Sequence, residues 1–237
     1  MKRKIISMLI LLSSLSCFAA NKEEPHYLEL LDKCLYIEYG TARMEVYIKN
    51  KVIRYYEMES YRKGEKLRME FSAPATEKGR KMLSNETNLW MYLPRTSKVI
   101  KLPLKQSFMG SDASNRDLMR IAYKKDYTIL KKTAKGNAII ELELEAKDTS
   151  VSYNFMILTV DTQTMTPIKQ EMYSLSRKLI KTMTFEKSVK VDGIYMPSIY
   201  IITDELRKNT TTKLVYSQLK RKNDKPIEFF TLASIRR

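Results

Sequence analysis

Alternating apolar and polar side chains recur along most of the chain and predict β-strands. In residues 138–145 the pattern is nearly strict, with one apolar face and one acidic face. Residues 153–160 are apolar on both faces, which indicates a central strand that is covered on each side. Asp192-Gly193 is a typical hairpin turn between two such runs. We therefore predict about ten or eleven antiparallel strands in one domain, at the spacing of a sandwich or a barrel.

Two stretches depart from this period and predict short helices. In residues 25–35, apolar side chains recur at helical spacing and a proline stands near the start, where a helix tolerates it. The second stretch begins at Ser114, and Asp117 follows three positions later, a pairing that is typical of a helix N-terminus. Residues 118–122 are apolar and are expected to form a short helix between two groups of strands.

The stretch 89–117 joins apolar strands to a polar turn. Its first run, residues 89–93, contains the single tryptophan, Trp90, and ends before Pro94; residues 97–102 predict the next strand. Residues 107–112, Ser-Phe-Met-Gly-Ser-Asp, then bring apolar side chains to a polar rim, as in a site for apolar ligands. Trp90 and Tyr92 project to the opposite face from the residues between and beside them. The pattern leaves open which face lines a cavity.

The first residues of the chain have the features of a secretory signal peptide. Residues 1–4 include three basic side chains, residues 5–15 are largely apolar, and Cys17-Phe18-Ala19 suits a cleavage site. We therefore predict a signal peptide at 1–19 and a mature domain at 20–237. The alternative is a bacterial lipoprotein anchored through Cys17; Ser16 suits this, but Ser14 stands where leucine is usual. We favour simple cleavage, which gives an exported, periplasmic protein.

The chain is strongly basic. Its formal net charge is +16 at pH 7, and the basic residues are scattered over predicted turns and exposed strand faces. No zinc-finger, helix-turn-helix or RNA-recognition pattern accompanies them, so we predict no nucleic-acid partner. We favour the interpretation that these basic residues lie on solvent-exposed faces of the protein. Attraction to anionic lipid headgroups is the second interpretation.

Residues for catalysis or for metal binding are scarce. His26 is the only histidine, so the histidines that a Ser-His-Asp triad or a histidine metal site requires are almost entirely lacking. Cys34 is alone on a predicted helix, where a buried small hydrophobe is expected. The glycines stand singly, which excludes a glycine-rich phosphate loop. We predict that the protein is not an enzyme and has no cofactor and no metal site. The 14 methionines instead suit a surface for flexible chains.

Several short sequence motifs occur in a fixed order from about Met44 to the C-terminus. They are Tyr61-Arg62-Lys63-Gly64, Phe71-Ser72-Ala73-Pro74 with Lys78-Gly79, Asn88-Leu89-Trp90-Met91-Tyr92-Leu93-Pro94, Ser107-Phe108-Met109-Gly110-Ser111-Asp112 with Asp117-Leu118, Asp126-Tyr127, Lys181-Thr182-Met183-Thr184-Phe185 and Asp192-Gly193-Ile194-Tyr195-Met196-Pro197. In this order they resemble the LolA-like outer-membrane lipoprotein-sorting proteins, a periplasmic lipid-carrier superfamily. Ala113 departs from the family pattern, which commonly has an aromatic residue there, and Arg80 stands in place of a smaller residue.

The resemblance implies a fold and a function. The fold would be mainly β (α+β): one strongly curved antiparallel sheet that forms an unclosed β-barrel, with short helices in its concave side. Its apolar cavity would hold acyl chains of lipoproteins or lipids, which a non-enzymatic carrier or chaperone helps to move to the outer membrane. An inner- or outer-membrane transport protein would be a further partner. The alternative is an envelope sensor or accessory subunit that binds a membrane protein, such as an export pump or a stress regulator.

The candidate lipid-binding residues come from the apolar strands and the turn that follows them. They are Leu89, Trp90, Met91, Tyr92, Leu93, Phe108, Met109, Ile140, Leu142 and Leu144. A ligand beside this stretch is expected to change the fluorescence of Trp90.

Overall fold

Thirteen strands form one antiparallel sheet. The computed structural model describes residues 26–119, 122–207 and 209–236. The predicted signal peptide, Cys17 and residues 120 and 121 of the second predicted helix lie outside these ranges. The strands are β1 Tyr39–Ile48, β2 Lys51–Lys63, β3 Lys66–Ala73, β4 Lys81–Ser84, β5 Leu89–Leu93, β6 Lys98–Lys101, β7 Tyr127–Ala134, β8 Ile139–Ala146, β9 Phe155–Asp161, β10 Thr166–Tyr173, β11 Leu179–Val191, β12 Ile194–Asp204 and β13 Thr210–Lys220.

Neighbouring strands of the sheet are, with one exception, neighbours along the chain. The order is β6-β5-β4-β3-β2-β1-β13-β12-β11-β10-β9-β8-β7. Strands β1 to β6 form one meander and β7 to β13 form another, and the two meet where β1 pairs with β13. Within the described ranges β6 and β7 are the two edges, so hydrogen bonds do not close the sheet. The prediction of a mainly β fold with one unclosed antiparallel sheet is confirmed.

The prediction of ten or eleven strands was too low, because two strands carry a weak signal. β4 has only four residues, which is too short to give a clear alternation of apolar and polar side chains. β7 is an edge strand whose pairing with β8 shifts register between Ile129 and Lys131. This irregularity leaves Leu130 47% exposed and interrupts the period of two from which strands are predicted.

The first predicted helix is present and the second is displaced. Helix α1, Tyr27–Cys34, lies within the predicted range and contacts β10 and β12. Ser114 and Asp117 form the predicted capping box, but they begin a 3-10 helix, Asn115–Leu118, after which Met119 is extended. Helix α2, Tyr123–Asp126, follows. In the part of the chain that the structure describes, no helix has the length and the apolar character needed to cross a membrane.

Each face of the sheet has its own apolar core. The main core lies on the inner face, defined here as the face that α1 and α2 cover, and includes Leu31 of α1. The second core lies on the outer face, where Phe230 and Ile235 of the C-terminal segment pack against Leu83. Arg68 fastens this segment to β3, because its Nη1 donates to the Phe229 carbonyl oxygen at 2.8 Å.

Candidate functional site

Strand β5 divides its predicted site residues between the two faces of the sheet. Leu89 and Met91 are buried in the main core of the inner face, and Leu93 packs against that core. Trp90 and Tyr92 pack against the second core on the outer face. The two faces of β5 are therefore distinguished: the aliphatic residues point to the inner face of the sheet, and the two aromatic rings point to the outer face.

The other predicted site residues also belong to the main core. Phe108 is 1% exposed, and its ring centroid lies 6.3 Å from that of Phe71. Leu142 and Leu144 of β8 are fully buried, while Ile140 and Met109 pack against the core from its margin. Their contact with a ligand stays a prediction.

The polar residues after Met109 hold the loop in place and are not a free rim. Asp112 is 1% exposed and its carboxylate accepts hydrogen bonds from the hydroxyls of Thr210 and Thr212, at 2.6 and 2.7 Å. The Asp112 backbone N–H donates to the Thr212 hydroxyl oxygen at 2.8 Å. Residues 107–114 are thus fastened to β13, which explains a serine–aspartate pair in an otherwise apolar stretch.

A cavity that is partly open to solvent lies between the helical elements and the inner face of the sheet. Its volume is about 130 Å³. Most of its wall is apolar or aromatic, and each of β2, β10, β12 and β13 contributes a single residue. The lining residues are Leu35, Arg62, Asp117, Leu118, Met119, Tyr123, Gln170, Met183, Phe185, Tyr200 and Tyr216. Among the described residues, none of the ten predicted site residues belongs to this wall.

Asp32 ties the two helices above the cavity to each other. It is on α1, and its carboxylate oxygens accept hydrogen bonds from the backbone N–H groups of Tyr123 and Lys124, at 2.9 and 3.0 Å. These two groups are at the N-terminus of α2, so a side chain of one helix caps the other. The Lys124 ammonium also pairs with Glu29 at 2.6 Å, and together with Lys33 it lowers the pKa of Glu29 to about 2. α1 and α2 therefore form one connected unit.

Asp117 ties the 3-10 helix to the sheet. Its carboxylate pairs with the Lys181 ammonium of β11, and their side chains are only 4 and 5% exposed. The same carboxylate accepts hydrogen bonds from the Tyr153 hydroxyl and the Ser114 backbone N–H, both at 2.7 Å. With three donors, this buried charge is well compensated. The Asn115–Leu118 segment is therefore anchored independently of α1 and α2.

Burial sets the protonation of the aromatic part of the wall. The pKa of Tyr123 and that of Tyr200 are raised well above the ordinary tyrosine value by desolvation, and desolvation also raises the pKa of Tyr216. All three hydroxyls are therefore neutral at ordinary pH. Through Tyr200 and Tyr216 of the sheet and Tyr123 of α2, the wall presents aromatic rings and uncharged hydroxyl groups to a ligand.

A larger groove crosses the exposed side of β1, β2 and β3 and has a different chemistry. Its volume is about 560 Å³, and its lining includes several charged residues. Arg43 at this groove donates to Glu45 and Glu57, both at 2.7 Å. A groove with paired surface charges suits water and polar ligands better than a hydrocarbon chain.

The described residues offer little material for metal or thiol chemistry. No group of three or more His, Cys, Asp or Glu side chains in the described ranges is arranged to hold a metal ion. Cys34 is 1% exposed, as expected for a small hydrophobe on α1, and burial raises the pKa of its thiol to about 12. Such a thiol is protonated and shielded, which makes it a poor nucleophile.

Comparison with known proteins connects this geometry with a superfamily. A family model described as "Uncharacterized protein" matches residues 63–237. No curated protein matches the chain. Among solved structures, the chain is similar to a LolA superfamily protein from Nitrosomonas europaea, with 26% identity, a TM-score of 0.75, and 87% of this chain and 96% of that chain covered.

Two further solved structures have the same fold. A DUF1329 family protein from Desulfovibrio piger is 21% identical with a TM-score of 0.73, and the match covers 88% of this chain and 97% of that chain. A putative outer membrane lipoprotein-sorting protein domain from Vibrio parahaemolyticus is 22% identical with a TM-score of 0.72, and the match covers 89% and 98%. On this fold, and on the match over residues 63–237, the chain belongs to the LolA-like superfamily and to the family that the matching model describes.

Proposed function

We propose that the protein is an exported, periplasmic, non-enzymatic carrier that binds acyl chains of lipoproteins or lipids and helps to move them to the outer membrane. The observation that carries this proposal is the cavity, because apolar and aromatic side chains line it beneath a helical cover. Each methylene removed from water contributes about 0.8 kcal/mol, so a wall of this composition favours hydrocarbon. Membership in a superfamily that includes lipoprotein-sorting domains supports the same interpretation.

The size of the cavity implies that the helical cover moves during binding. A volume of about 130 Å³ is below the roughly 300–1,000 Å³ of ordinary ligand sites. The α1–α2 unit, which Asp32 holds together, would shift as a whole while the hydrogen bond from the Tyr123 hydroxyl to Gln170 of β10 is kept. The 3-10 helix is held to the sheet by Asp117 and would stay in place. The carrier would thus open on one side of its cavity.

Native mass spectrometry of the protein purified from its own envelope tests this proposal. We expect a fraction of the protein to carry a non-covalent lipid or lipoprotein mass that is lost on delipidation. Delipidated protein should then bind a fluorescent fatty-acid analogue with saturation at one equivalent. Protein that carries no lipid and does not bind the analogue would contradict a carrier function.

The small cavity also favours a second candidate, an envelope sensor or accessory subunit that uses this fold to bind a membrane protein. In that case the helical cover would serve as a docking surface and would not need to open. The same purification distinguishes the two functions. A stable complex with a membrane protein, in the absence of any lipid, would support the second candidate and exclude the first.

A further inference from the structure

One side-chain amide in the cavity wall has an unused donor. Gln170 of β10 is fully buried, with 0% of its surface exposed, and lines the cavity. Its carbonyl oxygen Oε1 accepts a hydrogen bond from the Tyr123 hydroxyl at 2.6 Å. Its Nε2 group has no hydrogen-bond partner within the described part of the protein. One end of the amide is therefore fixed by the protein, and the other end is an unpaired buried donor in a residue that lines the cavity.

The Tyr123 contact determines which end is available. Tyr123 begins α2, and its backbone N–H is held by Asp32 of α1, so the ring has a defined position. A phenol hydroxyl can donate and accept, and in this structure the Tyr123 hydroxyl donates to the Gln170 carbonyl oxygen. The two hydrogens of Nε2 are left as donors. Burying such donors without an acceptor destabilises the fold, so their place in a cavity wall points to an acceptor from outside the chain.

The neighbouring groups define what kind of acceptor fits. The Gln170 amide is neutral, and the Tyr123 and Tyr200 hydroxyls are kept neutral by burial. The Asp117 carboxylate in the same wall is already paired with Lys181. A carbonyl oxygen matches the N–H donor of Gln170 without any charge to desolvate, whereas an ionised carboxylate would have to be compensated by Arg62, the one basic residue of this wall. Met183 and Phe185 supply apolar surface in the same wall.

We propose that Gln170 is a polar subsite that donates a hydrogen bond to the carbonyl oxygen of an acyl ester or acyl amide, while the chain of that acyl group contacts the apolar wall. This proposal rests on the carrier function and adds a ligand class to it. The protein would bind acylated molecules in preference to plain hydrocarbons and to free fatty-acid anions. Diacylglycerides and acylated lipoprotein N-termini both present such a carbonyl.

The test compares two probes with the same number of non-hydrogen atoms, methyl laurate and pentadecane, with the ¹⁵N-labelled protein. The Gln170 side-chain NH₂ resonance is assigned by its loss in Gln170→Leu. We expect methyl laurate to shift this resonance and pentadecane to leave it in place. Displacement of a fluorescent fatty-acid analogue measures affinity, and Gln170→Leu should weaken methyl laurate binding about three- to tenfold with no change for pentadecane.

A double variant controls for folding. Gln170→Leu alone leaves the buried Tyr123 hydroxyl without its acceptor, which destabilises the site. Tyr123→Phe/Gln170→Leu removes both partners and should retain the thermal transition of the natural protein. We expect the double variant to lose the preference for the ester in the same way. Retention of that preference by a folded double variant would overturn the proposal.

The remaining outcomes separate this proposal from the carrier function itself. If both probes bind and the Gln170 resonance responds to neither, the amide binds only water, and the subsite is wrong while the carrier function stands. If laurate anion binds more tightly than methyl laurate, the preference for a neutral carbonyl is wrong. If no probe binds, the carrier function fails and the subsite with it.

If methyl laurate binds as expected, comparison of dilauroylglycerol with a dilauroylated cysteinyl peptide shows which source of acyl carbonyl is preferred.

Discussion

Two apolar surfaces of the same sheet are covered in different ways. On the outer face, the C-terminal segment covers β3 to β5 and is fastened by Arg68, whose guanidinium carbon also lies 4.0 Å from the centre of the Phe229 ring. On the inner face, the helical elements enclose a cavity of about 130 Å³ and leave the Gln170 Nε2 donors unused. The outer cover is held by hydrogen bonds and ring contacts within the protein, which is typical of a structural element. The inner cover leaves room and an open donor, which is typical of a binding site.

The largest effect is expected where the inner cover is anchored. Asp117→Asn removes the charge that compensates the buried Lys181 ammonium, and breaking such a pair lowers the free energy of unfolding by about 3–5 kcal/mol. Asp117→Leu/Lys181→Met replaces both charges and should restore much of this stability. Urea unfolding measures both variants. If the single and the double variant lose equal stability, the ion pair does not anchor the 3-10 helix.

The fastening of the outer cover gives the next effect. Arg68 is 3% exposed and donates to the Phe229 carbonyl oxygen and the Ser234 hydroxyl, at 2.8 and 3.1 Å. Arg68→Met removes these two hydrogen bonds together with the Arg68–Glu70 ion pair at 2.6 Å, and we expect a loss of about 2–3 kcal/mol in urea unfolding. The affinity of the folded fraction for a fatty-acid analogue should stay constant. A variant that is stable but binds less ligand would mean that the outer cover takes part in binding.

A matched pair of substitutions compares the two surfaces directly. Leu118 is a partly buried residue of the cavity wall, and Val99 is a partly buried residue packed against the outer core. Leu118→Glu should weaken binding of a fatty-acid analogue about tenfold, because a carboxylate at an apolar wall must be desolvated. Val99→Glu should leave this affinity unchanged. Fluorescence titration of both folded variants is the measurement, and equal losses would remove the distinction between the surfaces.

The smallest effect concerns Trp90, for which the position of the ring leads to a different expectation from that of the sequence. The ring packs on the outer face, on the other side of the sheet from the cavity. A non-fluorescent acyl ester in the cavity should therefore leave the emission maximum of Trp90 unchanged. Phe230→Ala, which opens the outer cluster, should shift the maximum to longer wavelength. A shift caused by the ester would mean that the ligand binds elsewhere, or that the two covers are coupled.

The sequence predicted the sheet better than it predicted the cavity, for a physical reason. Strands such as β8 alternate apolar and polar residues, and this period is visible in a short window. The cavity wall instead takes single residues from distant strands, among them Arg62, Gln170 and Tyr216, and local patterns do not report such a set. One signal was present: Gln170 precedes the fully buried Met172 by two positions, which places a polar side chain on an apolar face.

The predicted site residues show the opposite limitation. Residues 89–93, Phe108 and Met109 are the apolar residues of their region, and in the structure they belong to or pack against the main core and the outer core. Apolar character predicts burial, but it does not distinguish a packed core from a wall that faces a ligand. A polar group without a partner is more informative, and only the folded structure identifies it.

The pairing of β1 with β13 has a consequence for the order of folding. Almost every other strand pair forms a hairpin or a short connection, whereas this pairing joins residues such as Met44 and Leu214. Contacts between residues so far apart in sequence form slowly, because a long loop must first be closed. The cavity spans this junction, with Arg62 on one side and Tyr216 on the other. We therefore expect the cavity wall to be complete only after the last strand has paired with the first.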